Sequence, residues 1–220
     1  MYSYFPSCNF TRIYPQTSLR IKTFLRSRGV LVLGCCRVTH GQLSDPASPA
    51  FDTTPLTICQ SCNLIVSERS GRDPVSLFEY LDSLTDVTWP SYHGEKMVLI
   101  DPYRSLQNEN ERKAVRSLLK KMEVDYTEAA PADFDGRFLY RPVAAGNLKL
   151  APKAFSPYLD KVDPLSDDRY AAAMKAFMTE ERFPTKRVVS YSNTAVPALK
   201  DYLPQGHTGV HVAELLFPEE

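Results

Sequence analysis

The sequence predicts an α/β protein made of two pseudo-symmetric α/β repeats with short, mainly parallel sheets. Three observations predict it. Short apolar runs alternate with amphipathic stretches, the same order of elements occurs twice, and cysteines follow the strands of the first repeat only. Such alternation is typical of parallel sheets, because parallel strands need a crossover connection. We therefore expect the cysteines on loops at the carboxyl ends of strands, where open α/β sheets bind their ligands.

The first repeat is predicted over residues 1–94. The alternation in residues 2–5 predicts a strand followed by a turn, and helical spacing up to Arg28 predicts a helix that Gly29 ends. The apolar run 30–33 predicts a strand buried on both faces. After a loop rich in Ser, Pro and Asp, residues 56–58 predict another short strand. A cysteine follows each of these three strands.

The second repeat is predicted over residues 95–220 and has the same order of elements without a cysteine. Its matching segments are 97–100, 124–130, 187–194 and 211–216. In this alignment the five cysteine positions become Tyr103, Ala129, Ala130, Ser190 and Asn193. An insertion over 131–186, rich in proline, is predicted to be mostly loop with one helix near 168–178. The second half is therefore interpreted as a degenerate copy of the first.

Charge and hydropathy exclude several classes of protein. The chain has 220 residues, and its 26 Lys and Arg balance its 26 Asp and Glu, so nothing favours a nucleic-acid partner. No apolar stretch approaches the roughly 20 residues of a transmembrane helix. The N-terminus lacks the basic start and apolar core of a signal peptide. We expect a cytoplasmic protein without direct membrane insertion.

All of the cysteines lie before residue 63, and we refer to them together as the cysteine cluster: Cys8, Cys35, Cys36, Cys59 and Cys62. In a reducing compartment, clustered cysteines indicate metal or redox chemistry more often than disulfides. Five thiols exceed the four that a tetrahedral zinc ion uses, and soft thiolates are the ligands of iron–sulfur clusters. The adjacent pair Cys35-Cys36 suits a centre with several metal atoms.

Three motifs, Tyr4-Phe-Pro-Ser-Cys8, Leu33-Gly-Cys-Cys36 and Thr57-Ile-Cys-Gln-Ser-Cys62, resemble the cysteine-rich CCG domain of the heterodisulfide reductase-like family. The reductases of that family carry two such domains, and each holds a noncubane [4Fe-4S] cluster through five cysteines. The resemblance implies that the cysteine cluster holds such a cluster here. It also implies a thiol or disulfide small-molecule substrate and a partner oxidoreductase subunit that contains Fe–S or flavin.

The sequence departs from this family in two ways. Arg37 follows the double cysteine where Gly or Pro is usual, and the second half lacks the ligands for a second cluster. The reductases use two clusters to split a disulfide, whereas other relatives with CCG domains serve the oxidation of lactate, glycolate, glycerol-3-phosphate and succinate. Thiol/disulfide reduction and electron transfer within an oxidoreductase complex both remain open.

Two residues beside Cys36 are further candidates. His40 is close enough in sequence to give a proton to a leaving thiolate, since its pKa suits proton transfer, although a loop histidine is the ordinary alternative. Arg37 is a candidate for neutralising cluster charge or holding an anionic substrate. In the second half, Tyr103 and Arg104 take the position that corresponds to Cys8.

Two other functions compete with a cluster. A structural zinc-binding interaction module would use Cys59, Cys62 and two more cysteines. A thioredoxin-like enzyme would use Cys59-x-x-Cys62 as a redox pair and leave the other cysteines unexplained. With nine glycines the chain has no Gly-rich phosphate loop, and it has no nucleophile elbow, so nucleotide binding and hydrolysis lack support.

Overall fold

The computed structural model describes residues 1–129, 142–159, 164–193 and 195–219. These residues divide into two compact units. The first contains 1–83 and 143–159, and the second contains the remaining described residues. Each unit is built on one four-stranded sheet in which every strand pair is parallel. The predicted α/β class with two parallel-sheet repeats is confirmed.

The first unit alternates strands and helices. The strands are β1 (Tyr2–Phe5), β2 (Leu31–Val32), β3 (Thr54–Thr57) and β4 (Val75–Ser76). The helices are α1 (Cys8–Ile13), α2 (Pro15–Ser27), α3 (Cys36–Thr39), α4 (Gln60–Ser70) and α5 (Leu77–Asp82). The sheet order is β2-β1-β3-β4, so the three strands that precede cysteines are neighbours.

Local sequence explains the bounds of these elements. Tyr4 and Phe5 of β1 are fully buried, as a strand covered on both faces requires. Helix α2 begins at Pro15, where a missing N–H costs nothing. The chain then turns at Gly29, whose φ of 73° favours glycine.

The rest of the chain completes the second unit and returns once to the first. It continues with β5 (Lys96–Leu99), α6 (Glu109–Lys121) and β6 (Asp125–Glu128). The helices α7 (Ala145–Leu150) and α8 (Pro152–Leu159) belong to the first unit. The last elements are α9 (Asp167–Phe177), β7 (Arg187–Ser190), α10 (Ala195–Tyr202), β8 (Thr208–His211) and α11 (Val212–Leu216). In the described residues no helix has the length and apolar character needed to cross a membrane.

The two units share sheet order and strand register. The second sheet has the order β6-β5-β7-β8, which is the order of the first with each strand replaced by its counterpart. Thr57 pairs with Ser76 in the first sheet, and Ser190 pairs with His211 in the second. Ser76 and His211 each begin a short helix with a capping box. The second half is a structural copy of the first.

The register corrects the predicted counterparts of the double cysteine. The Leu33 N–H donates to the Tyr4 carbonyl, and the Ala129 N–H donates to the Leu99 carbonyl, both at 2.9 Å. Ala129 therefore corresponds to Leu33 and not to Cys35. The counterparts of Cys35 and Cys36 fall within residues 130–141, which include Ala130 and lie outside the described residues.

The same displacement affects the Cys59-x-x-Cys62 pair. Because Thr57 corresponds to Ser190, the counterparts of Cys59 and Cys62 are Ser192 and Ala195, and not Ser190 and Asn193. Both predicted alignments were displaced by two residues. Such a shift keeps each side chain on the same face of a strand, so hydrophobic alternation does not detect it. Tyr103 keeps its predicted place opposite Cys8.

The predicted insertion 131–186 contains more helix than expected. Helix α9 matches the predicted helix, but α7 and α8 were predicted to be loop. Pro152 stands in the first turn of α8, where proline is tolerated, so its presence did not mark a loop. In the first unit, Glu68 of α4 accepts hydrogen bonds from the N–H groups of Lys153 and Ala154 at 3.4 and 2.6 Å. These bonds hold the start of α8 against α4.

The compact units divide after Ser83, whereas the predicted boundary followed residue 94. The ring of Trp89 contacts that of Phe217 with centroids 6.1 Å apart. The Tyr92 hydroxyl donates to the Leu215 carbonyl at 3.0 Å. The segment between α5 and β5 therefore packs with the second unit.

Candidate metal centre

Three neighbouring strand ends bring the cysteine cluster together. Cys8 begins α1 directly after β1, and Cys35 and Cys36 form the start of α3 after β2. Cys59 is the N-cap of α4 after β3, and Cys62 lies in the first turn of that helix. This is the carboxyl edge of the sheet, where the sequence predicted the cysteines.

The five thiols contact one another in an unbroken series. The Sγ atoms of Cys36 and Cys62 are 3.2 Å apart. Further hydrogen bonds join Cys8 to Cys35, Cys35 to Cys36, and Cys59 to Cys62. None of the five forms a disulfide. The structure thus collects every cysteine of the chain at one place.

Negative charge is favoured at two members of the cysteine cluster. A hydrogen bond with the Cys62 thiol, together with N–H groups in the first turn of α4, lowers the pKa of Cys59 to about 5 despite burial. A hydrogen bond with Cys62 also lowers the pKa of Cys36. The pKa of Cys62 itself is raised by these two bonds and by burial. Metal ions bind thiolates, so Cys36 and Cys59 are prepared as ligands.

Cys8 lies on the open side of the cluster. Its side chain is exposed, whereas those of Cys36 and Cys62 are buried. Partial burial and the neighbouring Cys35 thiol raise the pKa of Cys8 to about 11. A molecule approaching from solvent reaches the Cys8 side of the cluster first.

Ser7 and Gly34 shape the turns that carry Cys8 and Cys35. Ser7 has a φ of 57°, a strained conformation for a residue with a Cβ, and caps α1 by accepting from the Phe10 N–H at 3.4 Å. Its side chain also hydrogen-bonds Cys59. At Gly34, a Cβ would stand only 3.0 Å from the methyl group of Thr39. These turns are built for close approach, and sequence reasoning did not single out either residue.

Tyr4 is a second residue at the site that sequence reasoning missed. It is fully buried, and its hydroxyl has no hydrogen-bond partner among the described residues. Burial raises the pKa of Tyr4, and the charges of Cys62 and Cys59 raise it further, so the phenol lies near these two cysteines. A signal was present in the sequence, because a polar ring stands in a buried strand just before Cys8.

His40 and Arg37 both have defined contacts. The His40 Nδ1 donates to the Cys36 carbonyl at 3.0 Å, and its Nε2 accepts from the Arg69 Nε at 3.4 Å. Arg37 donates from Nη2 to the Asn147 Oδ1 at 2.5 Å. His40 therefore holds the Cys36 backbone, and Arg37 joins α3 to α7.

The corresponding edge of the second unit carries a hydrogen-bonded network in place of thiols. Asp101 is 3% exposed and accepts from the Tyr191 hydroxyl at 2.7 Å. The hydroxyls of Tyr191 and Ser105 are 2.8 Å apart. Arg116 donates to both Asp101 carboxylate oxygens at 3.2 and 2.7 Å and continues to Glu128 at 2.8 and 2.6 Å. Side chains of this unit satisfy one another there.

The cysteine cluster fits a group with several metal atoms better than a single ion. Two thiolates on one tetrahedral metal, with bonds of ~2.3 Å, stand roughly 3.8 Å apart. The sulfurs of Cys36 and Cys62 are closer than that, and as arranged no group of three or more His, Cys, Asp or Glu side chains in the described ranges could hold a metal ion. Metal binding therefore requires the sulfurs to move apart. The five soft donors, the two acidified thiols and the Tyr4 hydroxyl fit a sulfur-rich cluster.

Comparisons with known proteins bear on the fold. No protein-family model and no curated protein matches the sequence. The structure is similar to the crystal structure of a hypothetical protein from Helicobacter pylori, with a TM-score of 0.51 and 7% sequence identity. The match covers 100% of this chain and 49% of that one, so this chain spans about half the length of that protein. At this identity the likeness supports the α/β fold alone.

Proposed function

We propose that this chain is a cytoplasmic redox protein that holds one noncubane-type [4Fe-4S] cluster through the cysteine cluster. It acts in thiol/disulfide reduction or in electron transfer within an oxidoreductase complex. The observation that carries the proposal is the unbroken contact of five thiols from three adjacent strand ends. Thiolates are the ligands that iron–sulfur clusters require.

The number of thiols supports a cluster over zinc. A structural zinc ion is satisfied by four ligands, which leaves one thiol in contact with the others but without a role. A cluster distributes cysteines over several iron atoms, so adjacent residues such as Cys35 and Cys36 can bind different atoms. All five cysteines then have a function.

The residues of the site divide the work. Buried Cys36 and Cys62 hold the inner side, while exposed Cys8 faces the arriving substrate or partner. A bound cluster supplies electron-transfer chemistry. Conversion of a disulfide into two thiols consumes two electrons and two protons, so a partner subunit that contains Fe–S or flavin must deliver the electrons. The catalytic roles expected for His40 and Arg37 stay predictions.

A dithiol enzyme is the second candidate, and one observation favours it. Cys59 has a lowered pKa at the start of α4, while the pKa of Cys62, inside the first turn of that helix, is raised. This pattern is typical of a reactive Cys-x-x-Cys pair. It gives no role to Cys8, Cys35 or Cys36, so we place it second.

Variants at Cys8 separate the candidates. The protein and its Cys8→Ser and Asn9→Ser variants are purified anaerobically and analysed for iron, acid-labile sulfide and zinc, with electron paramagnetic resonance (EPR) of the reduced samples. We expect iron and sulfide in the wild type, a loss of iron or an altered spectrum in Cys8→Ser, and no change in the neighbouring control. Zinc without sulfide would support the structural zinc module. Full thiol–disulfide activity in metal-free Cys8→Ser would support the dithiol enzyme.

A further inference from the structure

We propose that the hydroxyl of Tyr4 donates a hydrogen bond to a sulfur of the bound cluster beside Cys59 and Cys62 and thereby raises the reduction potential of the cluster. This inference rests on the proposed function. It makes Tyr4 a positioning and tuning residue, in addition to the five ligands.

The first observation is the state of the hydroxyl itself. Tyr4 is 0% exposed, and its hydroxyl has no partner among the described residues. A buried hydroxyl without a hydrogen bond destabilises a fold, and most buried polar groups avoid this state. Phenylalanine would fill the same space without that cost. The hydroxyl therefore points to a partner that arrives with the cofactor.

The second observation is its position. Tyr4 lies on the central strand β1 and pairs with Val32 of β2 and Leu56 of β3, the two strands that lead to the other cysteines. The charges of Cys62 and Cys59 act on its phenol. A sulfur held by Cys59 or Cys62 is thus the acceptor that the fold offers to this hydroxyl.

The second unit supplies an internal comparison. By strand register the counterpart of Tyr4 is Leu99, which is 2% exposed and apolar. The fold accepts an aliphatic side chain at this position in the unit without cysteines. The phenol occurs in the unit where sulfur ligands surround its end.

Another buried tyrosine shows how this protein treats a phenol that has protein partners. Tyr191 is also 0% exposed, but its hydroxyl donates to Asp101 at 2.7 Å and lies 2.8 Å from that of Ser105. Tyr191→Phe is therefore a matched control for Tyr4→Phe. Both variants remove one fully buried hydroxyl, and only one of these hydroxyls is bonded within the protein.

The direction of the effect follows from charge. Reduction adds negative charge to the cluster, and a hydrogen bond to sulfur stabilises that charge, which is one of the ways proteins set such potentials. Removal of the hydroxyl disfavours the reduced form. We expect the ratio of reduced to oxidised cluster at a fixed potential to fall by up to about tenfold, which equals ~59 mV for a one-electron couple.

The experiment compares wild type, Tyr4→Phe and Tyr191→Phe in two forms. In the loaded form, iron and sulfide are counted and the midpoint potential is measured by an EPR-monitored redox titration. In the metal-free form, urea unfolding is measured. We expect Tyr4→Phe to bind iron normally, to show a lower potential, and to unfold without metal at the same or a higher urea concentration. Tyr191→Phe should keep the wild-type potential and unfold at a lower urea concentration.

Failures of the two proposals are distinguishable. Wild-type protein without iron and sulfide overturns the cluster and this inference with it. A loaded Tyr4→Phe protein with wild-type potential and spectrum overturns this inference alone. Metal-free Tyr4→Phe protein that unfolds at a lower urea concentration than the wild type also overturns it, because the hydroxyl would then have a partner within the protein.

Discussion

His211 makes the stability of the second unit depend on pH. It is 0% exposed, and as the N-cap of α11 its Nδ1 accepts from the Ala213 N–H at 3.1 Å. Only the neutral ring can accept there. Burial, together with the charge of Lys200, lowers the pKa of His211 to about 3. Protonation of this ring is therefore coupled to unfolding.

The size of the effect follows from linkage. In the unfolded chain a histidine has a pKa of about 6.5, so below that pH the unfolded state binds a proton that the folded state refuses. This contribution to stability is complete above about pH 6.5 and is lost as the pH falls towards the folded value of about 3. The slope is ~1.4 kcal/mol per pH unit, which gives about 2 kcal/mol between pH ~7.5 and ~5.

The variant His211→Asn tests this reasoning, because asparagine keeps a capping oxygen but does not titrate. Urea unfolding of the metal-free proteins is measured at both pH values by the fluorescence of Trp89. This residue reports on α11, since its ring contacts Phe217 immediately after that helix. We expect the wild type to lose about 2 kcal/mol more than the variant on acidification. Equal losses in the two proteins would refute the buried, neutral state of His211.

Two further predictions concern packing. Gly209→Ala places a Cβ 2.6 Å from the Leu199 Cβ and should lower the free energy of unfolding by about 1–3 kcal/mol, whereas Gly41→Ala, with nothing within 4 Å, should change it little; equal effects would contradict the packing. Glu68→Ala removes the carboxylate that accepts from the Ala154 N–H and should speed amide hydrogen exchange across α8 by roughly the fivefold that ~1 kcal/mol implies, but not in α9; unchanged α8 protection would contradict the contact.

Sequence patterns predicted the three strands that precede cysteines because their residues fulfil local rules. The buried strand residues Tyr4 and Phe5 and the turn at Gly29 are properties of short segments. Parallel pairing then brings neighbouring strand ends to one edge, so a site built from their cysteines follows from the fold class. The collection of the cysteine cluster at that edge was predictable for this reason.

Two features depend on information that no local pattern contains. The alignment of the repeats was displaced by two residues, since a strand looks the same to its neighbours after such a shift. Hydrogen bonds of Leu33 and Ala129 across the sheets fix it. The importance of Tyr4 depends on which groups surround its hydroxyl, and only the packed structure gives them. Helices α7 and α8 were hidden because proline at a first turn also occurs in loops.

The most direct test of the central claim is the iron and acid-labile sulfide content of anaerobically purified wild-type protein. The five contacting thiols predict about four iron and four sulfide atoms per chain, as in a [4Fe-4S] cluster, with all five cysteines protected from alkylation until the cluster is removed. A protein that contains one zinc ion per chain and no sulfide, with one cysteine that alkylates readily, would contradict the account.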